Sequence, residues 1–159
     1  MRPFAIAGLV LWLNACASSS GDAVWQNFSA LAGGDRALAE SALAEMFGDD
    51  PALWPDWLEP QAAQLPASGG AMLVVRQPVH APCGQYRYSF FAPVSGGRRE
   101  KLGGDFCAGS LEVVPGPMQR LPDFWLREGW VEAAKTVWQR QDRRIRWNGQ
   151  EWRLMASNP

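Results

Sequence analysis

The chain has 159 residues, 47% hydrophobic and 19% charged, with a formal net charge of −1 at pH 7. That balance excludes a low-complexity or charge-driven disordered polymer, and the length suits one domain with a real core rather than two. The charge is uneven: from Asp22 to Glu59 eight carboxylates face the single Arg36, whereas from Arg76 onward thirteen Lys or Arg face eight carboxylates.

Residues 1–15 have the three-part layout of an export signal, with basic Arg2, an apolar stretch from Phe4 to Leu13, and small residues at the end. The apolar run is too short to cross a bilayer core, which needs about 20 apolar residues. The ending Leu13-Asn14-Ala15-Cys16 resembles the lipobox of bacterial lipoproteins, Asn14 being a departure from the usual small or apolar residue. The resemblance covers residues 1–17 and implies lipidation of Cys16. Ala17 after the cysteine implies delivery to the outer membrane, facing the periplasm. The competing reading takes Ala15-Cys16-Ala17 as an ordinary cleavage site and releases a soluble periplasmic or secreted protein. Acyl chains on Cys16, at about 0.8 kcal/mol per buried methylene, would anchor the chain to the membrane, with 16–22 as a flexible tether.

Assigning Cys16 to lipid leaves Cys83 and Cys107, for which a disulfide is expected in an oxidising compartment. Closing that loop should stabilise the fold by roughly 3.5 kcal/mol in the chain-entropy model.

A single globular domain is expected over 23–159, helical over 24–48. Val24, Phe28 and Leu31 share one helical face, and Ala39, Ala42, Leu43, Met46 and Phe47 share another. Gly33-Gly34 separates the two, Asp35 is the expected N-cap of the second, and Gly48-Asp49-Asp50-Pro51 ends it. The pattern predicts a helical hairpin. The stretch 51–70, rich in Pro, Ala and Gly, reads as an irregular connection. From 71 to 159 the chain reads as mainly β, with strands at Ala71 to Arg76, Gln85 to Ala92 and Leu111 to Val114. Trp130 to Trp138 is read as a helix, although a strand fits it too. Asn148-Gly149, between Ile145/Trp147 and Trp152/Leu154, predicts a hairpin with a type I′ turn. The resulting expectation is an α+β fold: an N-terminal helical hairpin packed on a small, mostly antiparallel sheet, with one disulfide.

The order Leu121-Pro122-Asp123, a spacer, then Arg146-Trp147-Asn148-Gly149 and Trp152 resembles the closing segment of many bacterial envelope proteins. The match spans about 30 residues, implies a small secreted β module, and implies no activity.

The residues that carry chemistry are few. His80 is the only histidine, and no nucleophile elbow, second histidine or metal-ligand spacing accompanies it, so neither a catalytic set nor a metal or other cofactor is expected. A His80–Cys83 thiol enzyme competes with the disulfide and is the weaker reading. Asp49, Asp50, Asp56 and Glu59, with Asp105 and Asp123, are the acids from which a carboxylate hydrolase would be built. Gly103-Gly104-Asp105-Phe106 reads as a turn. Of the tryptophans, Trp25, Trp130 and Trp138 are assigned to the core, and Trp147 and Trp152 are the pair expected nearest the surface.

The uneven charge has two readings: acidic and basic halves neutralise each other on packing, or a basic surface meets an anionic partner. That surface would comprise Arg98, Arg99, Lys101, Arg143, Arg144, Arg146, Trp147 and Trp152. The function expected is therefore a lipid-anchored, non-catalytic envelope module for binding or assembly, with an envelope protein or anionic glycan as partner and no nucleic acid. The alternative is a small periplasmic hydrolase using paired carboxylates.

Overall fold

A computed structural model describes residues 23–79, 85–114, 121–134 and 137–155, with the backbone alone for 130–134, 137 and 138. The expected export signal, Cys16 and the expected tether, together with His80 and Cys83, lie outside these residues.

The fold is mostly β, not α+β. Among the described residues ten strands form two antiparallel sheets: β1 (Gln26–Asn27), β2 (Gln61–Ala67), β3 (Gly70–Pro78), β4 (Tyr86–Pro93), β5 (Arg99–Lys101) and β6 (Phe106–Ala108) in the first, and β7 (Ser110–Val114), β8 (Asp123–Ala134), β9 (Val137–Trp147) and β10 (Trp152–Met155) in the second. The first is ordered β1-β2-β3-β4-β5, with β6 also on β4, and the second β10-β9-β8-β7. The chain passes from one sheet to the other between β6 and β7, where the Gly109 amide donates to the Arg127 carbonyl at 2.8 Å.

The expected helical hairpin is replaced by one helix, α1 (Gly33–Phe47). Val24 to Leu31 supplies β1 and a 3-10 turn, Phe28–Ala30. A helix so short gains too few bonds to offset its nucleation. Here the backbone pairs with β2 instead, and Asn27 Oδ1 accepts from Gln61 Nε2 at 2.8 Å. The second run is helical because it is dense in Ala, Leu, Glu and Met and because Ala39, Ala42 and Leu43, at helical spacing, are fully buried. It stops at Gly48, whose φ of 87° few other residues adopt and whose amide donates to the Ala44 carbonyl at 2.9 Å. Asp35 is not the N-cap, which is Ala32. Its carboxylate instead pairs with Arg99 and accepts from Gln64.

The expected connection over 51–70 contains β2. Pro66 is tolerated there because β1 covers only Gln61 and Ala62, leaving the rest of that edge unpaired within the sheet. The described residues of the Trp130 to Trp138 stretch lie in β8 and β9, with Trp130 paired to Arg140 and Val131 to Gln139, rather than in the expected helix. The disulfide expected to staple the fold is not shown among the described residues, since Cys83 lies outside them. Cys107 is half-buried in β6, across from Arg87.

Strand alternation gives the first sheet two buried faces. Ala62, Leu73, Val75 and Phe91 point to α1, while Ala63, Leu65, Met72, Val74, Tyr88 and Phe90 point to the second sheet, where Leu111, Phe124, Leu126 and Ile145 meet them. The layers are therefore helix, sheet and sheet. Trp152 pins the sandwich, its ring centroid 4.8 Å from that of Phe90 and 5.8 Å from that of Phe124.

Candidate functional site

The residues expected to form one basic surface are dispersed by strand parity, and most of their charge is spent inside the molecule. Arg99 and Lys101 lie under α1: Arg99 pairs with Asp35 and donates to the Ala71 carbonyl at 2.7 Å, and Lys101 pairs with Glu45 and, at 3.1 Å, with Asp105. The acidic helix thus neutralises part of the basic half. Arg144 and Arg146 sit on the outer face of the second sheet and both bind Asp123, at 2.8 and 2.7 Å. Arg143 points the other way, opposite Leu126 on the inner face. Of these residues Arg98 alone is exposed.

Asp123 is 1% exposed. Burial pushes its carboxyl pKa up, but the hydrogen bonds and charges of Arg146 and Arg144 outweigh that and hold it below the usual carboxylate value. The Asp123–Arg146 pair joins the two ends of the Leu121-Pro122-Asp123 … Arg146-Trp147 segment noted in the sequence, and Arg144, two residues away on the same face of β9, adds a second partner.

The recess nearest the expected surface is an open groove of about 920 Å³ where the β9–β10 hairpin meets β5, lined by Pro93, Lys101, Arg146, Trp147, Asn148 and Gln150 among others. The hairpin is held there by Trp152, whose Nε1 donates to the Leu102 carbonyl at 2.8 Å. Trp147 stands edge-on to Trp152 at 5.3 Å. Gly103 permits this approach, since a side chain there would meet Trp152 at 3.3 Å and Trp147 at 3.6 Å. The loop is longer than the two-residue turn expected. Trp147 pairs with Trp152, the Asn148 amide donates to the Glu151 carbonyl at 3.1 Å, and Asn148 Oδ1 accepts from the Gln150 and Glu151 amides. Trp152 is therefore a packing residue, and Trp147 and Arg146 are the members of the expected surface that line the groove together with Lys101.

The candidate acids do not converge. Asp49, Asp50, Asp56 and Glu59 are exposed around the end of α1 and the turns after it. Asp105 is buried beneath α1, paired with Arg87 and Lys101 and accepting from Ser89 Oγ at 2.7 Å. No group of three or more His, Cys, Asp or Glu suited to a metal occurs among the described residues.

Sequence reasoning missed a cationic stack at the edge of the sandwich. The Arg76 guanidinium lies 4.1 Å from the Trp25 ring centroid and 4.6 Å from that of Tyr86, and donates to Gln61 Oε1 from Nε at 2.9 Å and from Nη2 at 2.6 Å. Behind it Tyr88 is fully buried. Burial pushes its phenol pKa up to about 12 against the opposing influence of Arg76. The available signal was the alternation of Tyr86 and Tyr88, which fixes a shared face; that Arg76 joins them depends on the β3–β4 register.

No family model matches the chain, and neither a curated protein nor a solved structure matches it.

Proposed function

We propose that this chain is an exported, lipid-anchored module of the outer membrane, facing the periplasm, that binds an envelope protein or glycan without catalysing a reaction. The observation that carries the binding role is the open groove beside Trp147. An indole edge, a proline and the Gln150 amide together offer apolar area and directional hydrogen bonding, which suits a polar chain laid along the groove. Lys101 and Arg146 contribute little net charge, because Glu45, Asp105 and Asp123 offset them. Recognition accordingly rests on shape and the Trp147 face more than on a basic field. The scattered acids favour binding over hydrolysis, since a carboxylate pair would have to flank one bond.

Co-sedimentation with isolated sacculi and with solubilised outer-membrane proteins tests the groove. Wild type should be retained by one of the two fractions, and Trp147→Ala should lose at least about ninety per cent of that retention, a loss of roughly 1.4 kcal/mol or more, while Arg98→Ala changes nothing. Equal retention of wild type and Trp147→Ala would remove the groove from the proposal. The anchor is tested separately: Cys16→Ser should abolish acyl labelling and membrane retention, and persistence of both would overturn it.

A further inference from the structure

The half-buried cations of the described residues are compensated, with one exception. Arg87, Arg99, Lys101, Arg127, Arg144 and Arg146 each have a carboxylate within 4 Å. Arg76 has none, but the Gln61 oxygen and two aromatic faces take its place. Arg143 has neither: among the described residues no carboxylate pairs with it, and its Nε lies inside the protein without a hydrogen-bond partner. Burial lowers its pKa from the ordinary guanidinium value. A desolvated charge is unfavourable unless something compensates it, so an uncompensated one calls for a ligand.

Gly129 places no side chain of β8 over the guanidinium. Arg143 sits on the inner face at the end of the sandwich where β6 approaches β8. A bulge separates the Leu126 pairing from that of Gly129, and Glu128 takes a φ of 51° within it. The shift puts Gly129 beside the guanidinium, where a Cβ would stand 3.4 Å from Arg143 Nε and 3.1 and 3.2 Å from the Cys107 and Gln141 carbonyls, so backbone rather than a side chain borders Nε there. The neighbouring acids are engaged elsewhere. Asp142 accepts from the Glu128 amide at 2.9 Å and from Arg127 at 3.0 Å, and Glu128 faces Gln85 at 3.4 Å and Arg140 at 3.7 Å.

We infer that Arg143 anchors a carboxylate-binding site at this end of the sandwich, its guanidinium fork taking the carboxylate of a small acid or of a peptide terminus. A carboxylate fits better than a phosphate. One unpaired cation is neutralised by a monoanion, whereas a dianion would leave net negative charge in a half-buried place. Arg143 does not line the groove, so this site stands or falls independently of the groove reading.

The experiment uses the full mature chain labelled with 15N and follows the Arg143 Nε–Hε resonance while acetate replaces chloride at constant ionic strength, with inorganic phosphate as a second series. Acetate should move the resonance along a saturating curve, Arg143→Lys should weaken the affinity at least about tenfold by losing the fork, and Arg143→Met should abolish it. In carboxylate-free buffer Arg143→Met should also melt a few degrees higher than wild type, because an unfavourable charge is gone while the apolar stem is retained. A shift that never saturates, or a lower melting temperature for Arg143→Met, would overturn the site. Tighter binding of phosphate than of acetate would overturn its assignment to carboxylates.

Discussion

Asp123 and Arg146 meet through two parallel hydrogen bonds, Nε to Oδ1 at 2.9 Å and Nη2 to Oδ2 at 2.7 Å, and Arg144 adds a third at 2.8 Å. The carboxylate is buried while the two arginines are about one-third exposed, so the acid bears most of the desolvation and needs both partners. Asp123→Asn should lower stability by about 3 kcal/mol in urea denaturation at neutral pH. Because the folded pKa lies below the unfolded value of about 3.9, the contribution is present above that value and is lost as pH falls through the folded pKa. The wild-type midpoint should therefore drop below about pH 4, and the Asp123→Asn profile should be flatter there.

Tyr88 titrates in the opposite sense. Its folded pKa of about 12 exceeds the ordinary phenol value of about 10, so its contribution is complete below the unfolded pKa and is lost as pH rises through the folded one. Ultraviolet phenolate absorbance should show a late component that Tyr88→Phe removes. Burial is the dominant cause and Arg76 opposes it, so Arg76→Met should delay that component further. Earlier ionisation in Arg76→Met would contradict the role given to the stack.

Trp152 contacts four rings, of which Phe90 and Phe106 belong to the other sheet, and its Nε1 donates to the Leu102 carbonyl. Trp152→Ala should cost about 3–5 kcal/mol. Trp152→Phe keeps much of the packing and loses the bond to Leu102, so it should cost less, and the difference is measurable by denaturant midpoint.

Gly129 and Gly109 separate two kinds of close approach. A methyl at Gly129 would stand 3.1 Å from the Cys107 carbonyl and 3.2 Å from that of Gln141, both backbone atoms. At Gly109 it would meet the ends of the Gln85 and Glu128 side chains, at 2.8 and 3.0 Å, which can turn aside. Gly129→Ala should therefore cost about 1–3 kcal/mol, and Gly109→Ala distinctly less. Comparable melting temperatures for the two variants would show that the strands around Gly129 can give way.

The tightly patterned parts of the fold were legible in the sequence. Alternation placed Tyr86, Tyr88 and Phe90 on one face of β4, the Ala-rich run and Gly48 defined the body and end of α1, and Asn148-Gly149 marked the last hairpin. The candidate site was legible only in part. Trp147, Arg146 and Lys101 line one groove, but Arg98, Arg99 and Arg144 are elsewhere, and Trp152 belongs to the core. An arginine's residue type says nothing about the acid it will face across a strand or under a helix.

What the sequence determined by itself is whatever depends on residues a few positions apart: strand faces, a helix stop and a turn. Tertiary structure decided the rest. Gln26 and Asn27 became a strand because Gln61 and Ala62 lay alongside, and the described residues of the Trp130 to Trp138 stretch became strand because β8 and β9 satisfy each other's backbone groups. It also decided which charges cancel. Asp123 lies more than twenty positions from Arg144 and Arg146, and only the β8–β9 register brings them within hydrogen-bonding distance, while the same register turns Arg143 inward, where no acid among the described residues pairs with it.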